Sequence, residues 1–238
     1  MSSRRRPGMT LLALGLLLGM VAAFTYTEAL KLERSPVGGA RFDRWLSPVC
    51  GCPHESAVLS FELRQTERIA VAVVDRDGER VRLLVSGIRR PPGRVTLTWD
   101  GRDEEGRVVP DGAYRLRIRL LDERRRIIVP EDVSVDTKAP QVRLRSVSPA
   151  VLSSGEALVV RYRSSERGSP VLLVDEREVR RGPPRSPGTH RIRWPEAVDE
   201  GMLAPGAHEV ALVVEDAAGN RSEPTVAVTI LVVEPEPS

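Results

Sequence analysis

"VTLTWDGRDEEGRVVPDGAY", Val95 to Tyr114, ends an alternating run on Trp99, places five acidic residues in the twelve positions from Asp100 to Asp111, and resumes alternation after Gly112. Apolar residues at every second position mark a strand with one face against a core. The flanks are therefore strands and the acidic stretch joins them. Three readings of the acids compete. A calcium loop needs oxygen ligands at alternate positions, a central glycine and a closing glutamate. Asp100, Asp103 and Asp111 are the nearest candidates and do not keep that spacing. A glycosidase pair needs a cleft with sugar-stacking aromatics, and only Trp99 and Tyr114 are near. Turn chemistry asks less: Asp-Gly at 100–101 and 111–112 supplies positive-φ positions, and Asp103 can accept from backbone amides.

A second copy further along the chain favours the turn. "PPGRVTLTW", ending at Trp99, matches "SPGTHRIRW", ending at Trp194, and "VVPDGAYRLRIRLLD" matches "LAPGAHEVALVVED". Gly112 thus aligns with Gly206, Tyr114 with His208 and Asp122 with Asp216. "RQTER" around Glu67 echoes "RSSER" around Glu166. The offset is 95 residues at the tryptophans and 94 beyond them, the size of one β-sandwich domain. The tryptophan, the glycine and the strand recur, while most of the acids do not. Residues that vary between copies of one scaffold are those that face solvent.

The remaining segments agree. "AVLSFEL", "IAVAVVD", "VRLLVS" and "AYRLRIRLL" have strand length, as do "QVRLRSV", "ALVVRYR", "PVLLVD" and "TVAVTILVV". "DRDGER" and "DAAGN", the latter carrying Asp216 and Asn220, read as hairpin turns. Arg115, Arg117 and Arg119 fall on one face of their strand; a solvated outer face explains them more simply than an anion site. The fold class is all-β: two tandem Ig-like β-sandwiches, over 57–136 and 137–234, with a polar tail at 235–238.

"VAVVDRDGERVRLLV" followed by "GRVTLTWDGRDEEGRVVPDGAYRLRI" resembles the Ig-like domain at the C-terminus of flagellar hook-capping proteins. "DTKAP" and "VVEDAAGNRSEP" in the second unit are similar to bacterial extracellular Ig-like repeats, although Trp194 is followed by "PEAVDEG" in place of the Asp-Gly-Arg-Asp turn. The resemblance implies a sandwich used for assembly, spacing or binding, and fold alone fixes no function.

Ahead of the sandwiches, "RRR" precedes an uncharged run from Pro7 to Thr27. Residues 1–8 read as a cytoplasmic tail and 9–27 as a transmembrane signal anchor, with a cleaved signal peptide as the alternative. Either places the rest outside the cytoplasm, behind a stalk at 28–56 whose Phe42, Trp45 and Leu46 are expected to pack back on the first domain. The stalk carries Cys50 and Cys52, for which a disulfide is the first reading; inactive thiols and metal or redox chemistry stand behind it.

Composition excludes several functions. Of 36 basic residues, Arg4 to Arg6 supply three, leaving 33 against 33 acidic. With the two signs interspersed, no basic surface for nucleic acid is expected. His54, His190 and His208 are scattered and no nucleophile elbow is present. No enzyme activity, cofactor or metal centre is expected. The expected role is a membrane-anchored, noncatalytic protein-binding or spacer module of the cell envelope, with cell-wall polysaccharide binding as the alternative. At 4% aromatics, few remain to stack on sugars once the core tryptophans are placed.

Overall fold

The computed structural model describes residues 14–25, 36–153, 156–194 and 203–233. Eight strands build the first sandwich: β1 (Val37–Phe42), β2 (Trp45–Leu46), β3 (Ala57–Leu63), β4 (Glu67–Val74), β5 (Arg80–Arg90), β6 (Gly93–Trp99), β7 (Gly112–Leu120) and β8 (Arg125–Val135). They form a three-stranded sheet, β1-β3-β6, and a five-stranded sheet, β2-β8-β7-β4-β5. Eight more build the second: β9 (Val142–Ser148), β10 (Val151–Leu152), β11 (Leu158–Ser164), β12 (Ser169–Val174), β13 (Arg177–Arg181), β14 (Gly188–Trp194), β15 (Gly206–Glu215) and β16 (Val228–Val232). Their sheets are β9-β11-β14 and β10-β16-β15-β12-β13. The correspondence holds strand for strand, down to the short parallel pairs β2 with β8 and β10 with β16.

Alternation places the cores. In β7, Tyr114, Leu116, Ile118 and Leu120 are buried while the arginines between them face outward. One apolar cluster, including Phe61, Trp99 and Tyr114, fills the first sandwich, and another, including Tyr162 and Trp194, fills the second. Each fully buried large apolar side chain contributes about 1.5–3 kcal/mol, so each unit has its own cohesion.

Two expectations are corrected. The stalk at 28–56 is not a linker from residue 36 onward, because β1 pairs with β3 and β2 with β8. Leu46 is fully buried in the core. The register of β1 shifts between Gly38 and Arg41 and β2 has only two residues, so neither shows a period in sequence. The single-pass membrane anchor at 9–27 is also overturned: no helix among the described residues is long and apolar enough to cross a membrane. Residues 14–25, the described part of that run, are helical. The basic tail, positions 9–13, 26 and 27, and the tail at 235–238 lie outside the described residues.

Candidate functional site

The acidic turn after Trp99 is occupied by its own backbone. Asp100 accepts from the Arg102 amide, and Asp103 accepts from the amides of Glu105 and Arg107 and from the Arg107 guanidinium at 2.9 Å. Against a desolvation that would raise it, the bonds from Arg107 hold the Asp103 carboxyl below its ordinary range. Asp111 points elsewhere: it accepts from the amide and hydroxyl of Thr137 and pairs with Lys138 at 3.0 Å. Asp100, Asp103 and Asp111 are therefore not brought together around one centre. Trp99 and Tyr114 lie beneath them with ring centroids 5.2 Å apart. The indole donates to the Arg102 carbonyl and the Tyr114 hydroxyl to the Pro110 carbonyl.

The turn also supports the arm between β2 and β3. A Cβ on Gly101, whose φ is +69°, would stand 2.3 Å from Pro48 Cγ, so the glycine of "WDGRD" is required by backbone and neighbour alike. Beyond Pro48 the arm holds the Cys50–Cys52 disulfide and a 3-10 turn, Pro53–Glu55. That arm reaches the second sandwich at the "DAAGN" hairpin turn.

There the two units are joined. The Ser47 hydroxyl donates to Asn220 Oδ1 at 2.5 Å, and Asn220 Nδ2 donates to the Asp136 carbonyl at 3.0 Å and to Asp216 Oδ2 at 2.8 Å. Ser47 and Asn220 are 0% and 4% exposed, so these bonds are shielded from water. Cys52 Sγ lies 3.8 Å from the Ala218 carbonyl oxygen. Gly219 has φ +87°, and a Cβ on it would meet Cys52 Sγ at 2.4 Å. The disulfide arm and the hairpin turn therefore close on each other with no room for a side chain.

Three carboxylates border this joint. Asp136, Glu166 and Asp216 each offer an oxygen within 4.8 Å of the others, the one grouping among the described residues with the spacing for a hard cation. Asp216 already accepts from the amides of Ala218 and Asn220 and from the Asn220 side chain. Burial, partly offset by the Asn220 bonds and reinforced by Asp136, still raises its pKa. Glu166 is raised by burial and then by the charges of Asp136 and Asp216. Its counterpart Glu67 is 2% exposed and accepts from the Asp122 amide. The same glutamate thus closes a turn in one unit and faces two like charges in the other.

His208, aligned with Tyr114, repeats its contact: Nε2 lies 2.7 Å from the Ala204 carbonyl, four residues back, as the Tyr114 hydroxyl does from Pro110. Nδ1 lies 2.6 Å from Asp175 Oδ2. With an acceptor at each nitrogen the ring favours imidazolium, and Asp175 first, then the Ala204 carbonyl, raise its pKa. Gly206 opens β15 as Gly112 opens β7, and Trp194 is buried as Trp99 is. The convergence of Ser47, Asp136, Glu166 and Gly219 had no signal in sequence beyond the repeat marks "RSSER" and "DAAGN".

Residues 55–122 match the model of the FlgD Ig-like domain family. A 58-residue stretch is 40% identical to the basal-body rod modification protein FlgD of Salmonella typhimurium, and equally to that of Salmonella typhi, covering 24% of this chain and 25% of each relative. The first sandwich carries the FlgD Ig-like domain, and the match spans about a quarter of those relatives' length. Among solved structures, the chain is similar to the fibronectin(III)-like modules of CbhA from Clostridium thermocellum, at 21% identity and TM-score 0.46 over 84% of this chain and 92% of that one. It is also similar to the human OSCAR ligand-binding domain, at 14% identity and TM-score 0.35 over 82% of this chain and 96% of that one.

Proposed function

We propose that the chain is a noncatalytic spacer that holds two Ig-like sandwiches at a fixed angle and presents them to a protein assembly. The observation that carries this reading is Asn220, a buried side chain of the second unit that bonds Ser47 and the Asp136 carbonyl. Buried polar bonds across a joint are costly to break without water, because each freed partner keeps its desolvation penalty. A hinge meant to flex would leave such groups wet. The FlgD Ig-like domain in the first unit supports a modular, noncatalytic role. Crosslinking in intact cells followed by mass spectrometry tests it. Links from both sandwiches to one common assembly are expected; links from one sandwich alone would overturn the spacer reading.

A further inference from the structure

The three-stranded sheet of the second sandwich has an outer face made of arginine. Alternation turns Leu158, Val160, Tyr162, Ile192 and Trp194 into the core. Outward go Arg143 and Arg145 from β9, Arg161 and Arg163 from β11, and Arg191 and Arg193 from β14, all exposed. The strands read "VRLRSVS", "LVVRYRS" and "GTHRIRW" and contain no Asp or Glu. Arg161 lies directly opposite Arg191, and Arg163 directly opposite Arg143. Like charges directly opposite on one face destabilise a sheet. None of the six pairs with a carboxylate among the described residues.

The first sandwich provides the internal comparison. In its matching sheet, Glu62 stands opposite Arg94 and pairs with it at 3.8 Å. Arginines of its other sheet are tied to neighbours: Arg68 and Arg89 to Asp122, Arg80 to Glu104, and Arg117 to the Gly78 carbonyl. Among the described residues, a three-stranded face with arginines on all three strands and no carboxylate partner is found in the second unit, while the matching sheet of the first carries the Glu62–Arg94 pair.

At the β14 edge the face runs into a cleft of about 300 Å³. Arg180, Arg185, Arg191 and Arg193 line it, beside Val159 and Pro183 and the largely buried Pro170 and Ile192. The loop that roofs it is stiffened by Pro183, Pro184 and Pro187 and pinned by reciprocal amide bonds between Arg185 and Gly168. A Cβ on Gly182 would stand 2.9 Å from Pro170 Cγ, so the floor is closely packed.

We propose that this face and its cleft bind a linear acidic polysaccharide. Guanidinium groups match carboxylate, sulfate or phosphate geometry through paired donors, and rows about 7 Å apart along a strand and 5 Å across strands suit charges repeated on a chain. The three strands turn no aromatic outward, so the platform on which bases of single-stranded nucleic acid stack is missing. They also lack the aromatic and apolar anchors that centre a protein interface. A bilayer surface is flat and cannot enter the cleft, whereas one sugar of a polymer can, with its acidic group between Arg185, Arg191 and Arg193. The inference does not depend on the spacer reading, since it needs only the second sandwich.

The test uses the full chain and an end-labelled oligogalacturonate, with neutral dextran, poly-glutamate and phosphatidylglycerol vesicles in parallel. Taking single-stranded polyelectrolytes as the guide, each arginine contact contributes about 5-fold at 0.1 M salt. Arg161→Gln with Arg191→Gln is therefore expected to weaken binding about 25-fold and flatten the salt dependence. Because the change removes a like-charge pair, its melting temperature should be unchanged or higher. Arg119→Gln with Arg126→Gln, an opposed pair on the first sandwich, makes the same change in net charge and should leave binding intact. No binding to oligogalacturonate at low salt, or equal losses from both doublets, would overturn the proposal. So would arginine-dependent binding of poly-glutamate or vesicles as tight as that of the sugar.

Discussion

Replacing Glu166 with glutamine should stabilise the protein at neutral pH and do nothing in acid. The Glu166 carboxylate accepts no hydrogen bond and meets no cation among the described residues, while Asp136 and Asp216 stand within 4.8 Å. At that distance two unit charges repel by about 1 kcal/mol at the dielectric of water and about 3.5 kcal/mol at an effective value of 20. The group is only partly buried, so the lower figure applies, and removing two such pairs gains about 2 kcal/mol. For a chain of this length that is a rise of about 4–8 °C in melting temperature. Burial and the two aspartates raise the folded pKa of Glu166 above its ordinary value. The native state therefore holds the proton more tightly than the unfolded one. Wild-type stability from this group is complete below the unfolded pKa, about 4.3, and is lost as pH rises through the folded one. The variant should lack that loss. Melting curves of both proteins at pH 4 and pH 7.5, with low and high salt, read the effect directly. A variant less stable than wild type at pH 7.5, or a difference that ignores pH and salt, would refute the electrostatic account.

Other expectations follow from the joint and the repeat. Gly219→Ala should cost more than Gly78→Ala: both glycines have similar positive φ, +87° and +82°, but only Gly219 has a neighbour within 4 Å, Cys52 Sγ among them. The backbone strain of about 1–2 kcal/mol is common to both, so the excess, read by chemical denaturation, measures the contact and should shrink when both cysteines are serine. A fragment of residues 36–136 should be more stable than 57–136 by about 3–6 kcal/mol, since Val37 and Leu46 each contribute about 1.5–3 kcal/mol of burial; equal stability would remove β1 and β2 from the fold. His208, raised by Asp175, contributes stability that is present below its unfolded pKa and lost as pH rises through the folded one. His208→Gln should flatten that part of the stability profile, and an unchanged profile would deny the pair.

The architecture was legible because burial imposes a period of two on strands and because the chain states its fold twice. Trp99 and Trp194, Gly112 and Gly206, and Tyr114 and His208 do the same work at the same places. What escaped was whatever has no period. β1 is broken by a register shift at Gly38 and β2 is two residues long, so they read as stalk. An uncharged N-terminal run read as an anchor, yet no helix among the described residues is long and apolar enough to cross a membrane. The acids of the turn after Trp99 drew attention because they are adjacent in sequence, but Asp100 and Asp103 accept from local amides while Glu104 accepts from Leu83 and Asp111 from Thr137. Asp136, Glu166 and Asp216 are up to 80 positions apart, and only the folded chain sets them side by side. The arginine face was visible residue by residue, but the opposition of Arg161 to Arg191 and of Arg163 to Arg143 required the registers of β9, β11 and β14.

In the proposed spacer, Ser47, Asn220 and the Cys52–Gly219 contact make the two sandwiches reorient as one body. Residual dipolar couplings of backbone amides in the full chain test it in a single aligned sample. Couplings from residues 37–135 and 142–232 should fit one alignment tensor, in magnitude and direction. Two tensors of different magnitude would show the units reorienting independently and would contradict it.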